Sequence, residues 1–268
     1  MLSDEQDDII IGRNLPMNSL IYGIILAAGK GTRFKAKNLN KTAAIFNSKP
    51  LVYYGASLLE SIVDKTYVVI GSQAQSVKDA LSDKKSLIYV YQRRQLGTGH
   101  ATSVAVSQIE KTTIKPEYVI LGYGDHMMFY TKEIVNDMIS TCRNKQAAIT
   151  LISSIFKNPG YLGRIKRDSK GKVSGIVEYK DASDKEKGIK EINAGFYCFR
   201  YDFLKNNYKK LKKSPITGEY YVTDLIALAI AQKLPVETTI VPYIRVGIGI
   251  NSQEELTTSA QLYSKLIK

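Results

Sequence analysis

The stretch IILAAGKGTRF, residues 24–34, decides the reading of the chain: an apolar strand runs directly into small residues and two glycines. Ala27, Ala28, Gly29 and Gly31 let the backbone approach a ligand closely, and their amide N–H groups can hold phosphate oxygens. Two familiar phosphate loops do not fit. A Walker A loop places four residues between its first glycine and Gly-Lys-Ser/Thr, whereas Gly23 to Gly29 encloses five and Gly31 stands at the hydroxyl position. A dinucleotide G-x-G-x-x-G needs a third glycine where Phe34 stands. A purely structural turn is the plain alternative. Against it, Lys30, Arg33 and Lys41 serve no packing purpose in such a loop, whereas they would neutralise a polyphosphate.

Outward from this strand, short β-branched runs alternate with helical spacing. IYGIIL (21–26) is followed by a helix over about 51–62, TYVVI (66–70), a helix near 73–81, SLIYVY (86–91), a helix over about 100–108 and YVIL (118–121). This βαβαβαβ rhythm predicts an α/β fold: a mostly parallel, Rossmann-like sheet with helices on both faces and ligands outside the carboxyl ends of the strands. Beyond about residue 147 the rhythm changes to AITLISSI, GRIKR, KVSGIVEY and EINAGFYCF, four strand-like segments in succession. They predict a smaller mixed or antiparallel subdomain laid over the strand ends. Helices near 201–211 and 220–232, a strand over 236–244 and a C-terminal helix from about residue 253 complete the pattern.

Composition narrows the function classes. With 268 residues, 44% apolar and 24% charged, the chain can bury a core as one large domain or two small ones. The net charge of +13 makes an acidic partner the first expectation: nucleic acid, anionic membrane or phosphorylated small molecules. No apolar run is long enough to span a bilayer, and MLSDEQDD carries four carboxylates where a secretory signal needs positive charge. The cytoplasm is the expected location. Cys142 continues the helical spacing Ile134, Val135, Met138, Ile139, and Cys198 alternates with Ile192, Ala194 and Phe196, so both cysteines read as core. The surplus lysines fall in short clusters such as KNNYKKLKK (205–213), which reads as a solvated helix face rather than a nucleic-acid recognition element.

LAAGKGTRF followed by Lys41 resembles the LAAGxGTRM…PK signature of the sugar-1-phosphate nucleotidylyltransferases. More specifically, the chain is similar to the uridylyltransferase domain of the bacterial bifunctional N-acetylglucosamine-1-phosphate uridylyltransferases. Six further blocks carry the likeness in order: QRRQLGTGHA (92–101), GYGD (122–125), YLGRIKR with GKVSGIVEYKDA (161–182), EINAG (191–195), GEYYVTD (218–224) and GIN (249–251). The resemblance implies a nucleotidyltransferase fold with a small β-rich sugar-binding subdomain. It also implies UTP and N-acetylglucosamine (GlcNAc) 1-phosphate as substrates, Mg²⁺ as cofactor, and no nucleic-acid or membrane partner. The expected organisation is an acidic arm over 1–18 and a single domain over 19–268. Within it, about 19–147 binds nucleotide, about 148–250 binds sugar phosphate, and 251–268 forms the terminal helix. The length suits one such domain, with no room for the hexapeptide-repeat acetyltransferase of the bifunctional enzymes, and the oligomeric state stays open.

Residue by residue, the resemblance assigns Leu26, Ala27, Ala28, Gly29, Gly31 and Thr32 to the nucleotide, together with Gln92, Gln95, Gly97 and Thr98. An amide side chain beside exposed backbone can read a pyrimidine edge, although a polar loop explains that block equally well. Asp125 and the distant Asn251 are implied Mg²⁺ ligands; an isolated Asp at this place also suits a cap for the helix starting near Thr131. Gly124, Gly163, Glu178, Asn193, Tyr221 and Thr223 are assigned to the sugar phosphate, where solvent exposure at strand ends is the plain alternative. Lys180 faces either phosphate or solvent. The implied reaction is in-line attack by the sugar phosphate on the α-phosphorus of UTP, with Arg33 and Lys30 on the leaving pyrophosphate and Lys41 near the α-phosphate. Two departures stand out. Asn40 replaces the usual proline before the basic residue in a loop one residue longer, which implies a less rigid Lys41, and His126-Met127-Met128 replaces a small apolar sequence beside Asp125. A relative using another sugar or base, and a catalytically silent relative, are the rival readings.

Overall fold

The computed structural model describes residues 19–31, 34, 38–246, 250 and 252–266. The first strand, β1 (Ile21–Ala27), is buried from Tyr22 onward. Its side chains alternate between two cores: Tyr22, Ile24 and Leu26 face one, Ile25 and Ala27 the other. A sheet buried on both faces needs this near-continuous apolar run.

A short hairpin of β2 (Ile45–Phe46) and β3 (Lys49–Pro50) follows β1 and leads into α1 (Leu51–Glu60). Next come β4 (Lys65–Ile70), α2 (Ala74–Ala80), β5 (Leu87–Tyr91), α3 (Thr98–Ile109) and β6 (Tyr118–Tyr123). The second half adds α4 (Lys132–Asn144), β7 (Ile149–Ile155), β8 (Arg164–Arg167), β9 (Val173–Val177), α5 (Asp184–Lys187) and β10 (Glu191–Arg200). It ends with α6 (Tyr201–Asn207), α7 (Asp224–Ala231), β11 (Val236–Ile240) and α8 (Gln253–Leu266).

Among the described residues the main sheet runs β11-β7-β10-β6-β1-β4-β5. β1 pairs in parallel with β4 and β6, and β4 with β5; β10 runs antiparallel between β6 and β7, and β11 is parallel to β7. Residues of α3, α6 and α7 fill the core on one face, and residues of α1, α2 and α4 fill the other. The helical spacing of Val135, Met138, Ile139 and Cys142 and the strand alternation of Ile192, Ala194, Phe196 and Cys198 bring both cysteines into that second core, as the sequence predicts. No described helix is long and apolar enough to cross a membrane.

The second half departs from expectation in one respect. Two of the four strands expected in a smaller subdomain, β7 and β10, extend the main sheet, and only the β8–β9 hairpin lies off its path, attached through Ile192 opposite Arg164. Burial explains the division. β7 and β10 are buried along nearly their whole length, whereas β8 and β9 have partly exposed residues suited to an overlying hairpin. A register shift in β10 between Asn193 and Tyr197 accompanies Gly195 at φ +70, so the strand bends where the hairpin departs.

His126-Met127-Met128 turns inward. All three residues are buried, and Met127 packs into the space left by the missing side chains of Gly55 and Gly122. The α8 helix closes a third, smaller cluster, with the Tyr263 ring 5.3 Å from Phe46 and 5.7 Å from Phe129. A Cβ at Gly122 would lie 2.6 Å from the Phe196 ring and 2.7 Å from Met127 Sδ. Gly122→Ala should therefore destabilise the fold by about 1–3 kcal/mol through overpacking, read from the midpoint of urea unfolding.

Candidate active site

The chain leaves β1 toward β4 on one side, and α3 returns it to β6 on the other, so the carboxyl ends of β1 and β6 form a topological switch point. A cleft of about 640 Å³ opens there. Leu26, Ala27, Ala28, Gly29, Lys30 and Gly31 line it from the end of β1, and Lys41 and Asp125 from the two following loops. Gln92, Gln95, Gly97 and Thr98 enter from the β5–α3 connection, and Glu178 and Tyr221 from the second half. Residues assigned separately from distant blocks of sequence thus share one cavity. Arg33, Thr32 and Asn251 lie outside the described residues.

Lys41 and Asp125 form an ion pair, each only partly exposed to solvent. Burial alone would push the Asp125 carboxyl up; the Lys41 ammonium, by charge and hydrogen bond, opposes this and, with smaller contributions from His126 and a backbone hydrogen bond, holds it below the usual carboxylate value. Asp125 therefore does not cap the next helix, which starts at Lys132 behind Thr131. Gly124 sits behind it, its N–H donating to the Leu26 carbonyl at 3.0 Å, and a Cβ there would meet Thr42 Cγ2 at 3.2 Å.

Asn40 is 2% exposed, and its side chain holds the loop that the sequence reads as loosened by the missing proline. Its Nδ2 donates to the carbonyls of Gly29 (3.0 Å) and Ser72 (2.8 Å), and its Oδ1 accepts from the N–H and the hydroxyl of Thr42, both at 2.9 Å. Its backbone N–H donates to Ser76 Oγ at 2.9 Å. The resulting φ of −67° is the angle a proline ring imposes. Lys41 is thus anchored from the residue before it, contrary to the expectation of a less rigid placement.

On the β5–α3 side, Gly97 adopts φ +98, and a Cβ there would lie 2.5 Å from the Tyr220 carbonyl oxygen. The 218–224 segment is laced onto this loop: Tyr220 N–H donates to the Leu96 carbonyl, Gly99 N–H to the Tyr220 carbonyl, and Val222 N–H to Thr98 Oγ1. The Thr98 hydroxyl thus already accepts a protein hydrogen bond. Gln95 Nε2 donates to the Gln92 carbonyl, so Gln95 also shapes the loop.

In the second half, Thr223 Oγ1 donates to Glu178 Oε1 at 3.0 Å, and the Cα of Gly163 leaves room for the Glu178 carboxylate. Burial pushes the Glu178 carboxyl up; the Thr223 hydroxyl opposes this, and the neighbouring Asp181 and Asp224 charges add to it. Asn193 is buried with both ends of its amide engaged, Nδ2 donating to Tyr197 Oη and Oδ1 accepting from Gly195 N–H. Gly124, Gly163, Asn193 and Thr223 do not themselves line the cleft, and neither does Lys180, which is exposed. Asn40, Thr42, Ala101, Tyr123 and Glu219 line the cleft without having been assigned a site role from sequence. Of these, Ala101, Tyr123 and Glu219 lie inside quoted blocks, while Thr42 carried no signal beyond adjacency to Lys41.

Comparison with known proteins defines the class. Residues 22–241 match the nucleotidyl transferase family, and the chain belongs to it. Among curated relatives, it is 34% identical over 249 residues to the bifunctional protein GlmU of Acetivibrio thermocellus, covering 92% of this chain and 53% of that protein. The corresponding protein of Psychrobacter sp. is 36% identical over 253 residues, at 93% and 52% coverage. That of Desulfotalea psychrophila is 36% identical over 233 residues, at 87% and 67%. The chain spans about half the length of the first two. In fold it is similar to a putative glucose-1-phosphate thymidylyltransferase from Bacillus anthracis, solved in complex with sucrose (TM-score 0.72, 17% identity, 91% of this chain and 95% of that one). A CMP:2-keto-3-deoxy-manno-octonic acid synthetase complexed with CTP gives a TM-score of 0.67 at 15% identity, covering 92% of this chain and 100% of that one. Family and relatives together define the chain as a nucleotidyltransferase related to the GlmU proteins.

Two measurements probe this geometry. Asn40→Ala, which unpairs the Gly29 and Ser72 carbonyls, should lower stability by about 2 kcal/mol in urea unfolding and reduce turnover, with Asn40→Pro recovering only part of either loss. Glu178 has its folded pKa raised, so its contribution to stability is fully present below the unfolded value and is lost as pH rises through the folded one. Glu178→Gln should accordingly remove a decline in unfolding free energy between acid and neutral pH.

Proposed function

We propose that the chain transfers UMP from UTP to GlcNAc 1-phosphate, giving UDP-GlcNAc and pyrophosphate. The observation that carries this reading is a single cleft into which a glycine-rich strand end, a glutamine-bearing loop, a lysine–aspartate pair and the Glu178–Tyr221 wall all open. Curated relatives named as bifunctional GlmU support the choice of uridine nucleotide and amino sugar over other pairs.

The attacking phosphate is already anionic, so no protein nucleophile is needed, and the residues must instead bring two polyanions together. The Ala28 and Gly29 backbone, Gln92 and Gly97 hold the uridine, and Glu178 and Tyr221, backed by Gly163, Asn193 and Thr223, receive the sugar. In this reading residues of about 19–147 serve the nucleotide and about 148–250 the sugar phosphate. Lys41 neutralises the α-phosphate region, and Lys30 with Arg33 takes the charge of the departing pyrophosphate. Asp125 fits a divalent cation: it is an oxygen donor facing the cleft with a positive charge already against it. Mg²⁺ commonly takes one or two protein oxygen ligands and completes its shell with substrate phosphates and water. Asp125, with Asn251 as second ligand, would hold Mg²⁺, which supplies charge neutralisation for the phosphates when bound.

Pyrophosphate release measured with Mg²⁺ across four NTPs and several sugar 1-phosphates tests the reading. Activity should peak at UTP with GlcNAc 1-phosphate; a peak at another pair overturns the substrate assignment and keeps the reaction class. Asp125→Asn and Arg33→Ala should each lower turnover at least about 100-fold with the circular dichroism spectrum retained.

A further inference from the structure

Gln92 is 3% exposed yet lines the cleft, so it has few directions in which to offer hydrogen bonds. Its Nε2 lies 3.1 Å from the Gly97 carbonyl oxygen and 3.0 Å from His100 Nδ1. A carbonyl oxygen can only accept, so the amide nitrogen must face Gly97. The second amide hydrogen is then directed at His100 Nδ1, which has to be the unprotonated ring nitrogen to receive it. A backbone hydrogen bond with Arg94 also acts on the imidazole. Burial pushes the imidazole below its ordinary value while the Arg94 backbone pulls the other way, a net fall that favours the neutral ring. The Gln92 backbone is held too, its N–H donating to the Ile70 carbonyl at 2.8 Å.

With both amide hydrogens spent, Gln92 has only its carbonyl oxygen to present to a ligand. We propose that His100 is the positioning residue for base selection: by accepting from Gln92 it fixes the amide so that an acceptor, and not a donor, meets the base. This rests on the proposed reading of Gln92 as the base-contacting residue. An acceptor at that place suits the N3–H of uracil or thymine and repels the N3 lone pair of cytosine. Rotating the amide by 180° to suit cytosine would set its oxygen against both the Gly97 oxygen and the His100 lone pair. His100 thus contributes one of two locks, without touching the nucleotide. Tyr220, whose ring centroid is 6.4 Å from the imidazole, adds a flank to the ring from the segment laced onto this loop.

The test compares wild type, His100→Phe and His100→Asn by kcat/KM for UTP and for CTP at saturating sugar 1-phosphate. His100→Phe removes the acceptor and should cut the UTP-to-CTP ratio about tenfold or more, with KM for the sugar 1-phosphate unchanged. His100→Asn can place an acceptor oxygen near the former Nδ1 and should retain most of the ratio. Because the chain holds only two histidines, ¹⁵N NMR of the wild-type protein reads the tautomer directly, and Nδ1 should be unprotonated. A folded His100→Phe with the wild-type ratio, or a protonated Nδ1, overturns the role of His100 and leaves UTP selection standing. A wild-type enzyme that does not prefer UTP over CTP overturns the reading of Gln92 and the role of His100 together. Should His100→Phe fail to fold, the tautomer and the His100→Asn ratio decide.

Discussion

The cleft depends on β1 lying between two parallel neighbours whose connections leave in opposite directions. One crossover, carrying α1, covers one face of the sheet on the way to β4; the other, carrying α3, covers the opposite face on the way to β6. Neither can close over the carboxyl ends of β1 and β6, and the gap between them is where backbone N–H groups and a carboxylate can face a ligand without being buried in the core. The remaining elements supply the walls of that gap. β10 and β7 widen the sheet behind it, and the β8–β9 hairpin and the 218–224 segment bring the second set of polar residues across.

Charge is handled locally. Asp125 is partly buried and tolerable because Lys41 meets it, while Glu178 has a hydroxyl but no described cation at hydrogen-bonding distance and is correspondingly reluctant to ionise. Two carboxylates lining one cavity are thus tuned in opposite directions by their neighbours. The net charge of +13 contributes little to this contrast, since lysines such as Lys205, Lys209 and Lys212 are exposed on the surface. A diffuse positive field can draw phosphorylated substrates inward without identifying them.

Much of this arrangement was legible in the sequence because it follows from short-range patterns. The alternation around Ile24 and Ile25, the helical spacing through Cys142 and the small residues after Leu26 all report burial or backbone access within a few positions. What stayed hidden depends on partners far along the chain. Nothing local in EINAGFYCF distinguishes a strand of the main sheet from one of a small subdomain; pairing with β6 and β7 decides it. Asn193 reads as a polar strand-end residue, yet its amide is consumed by Tyr197 and Gly195. The three residues after Asp125 look disruptive until Gly55 and Gly122 are seen to make room for Met127.

Asn40 carries a consequence for motion. A proline restricts φ in the unfolded chain as well as the folded one, whereas the hydrogen bonds of Asn40 exist only once Gly29, Ser72 and Ser76 are in place. Ser72 and Ser76 belong to the approach to α2 and its first turn, so the strand end that faces the cleft and the start of that helix share one set of fastenings. Opening at either end therefore removes hydrogen bonds that the other relies on, which ties the two segments together across the 32 and 36 residues that separate Asn40 from Ser72 and Ser76.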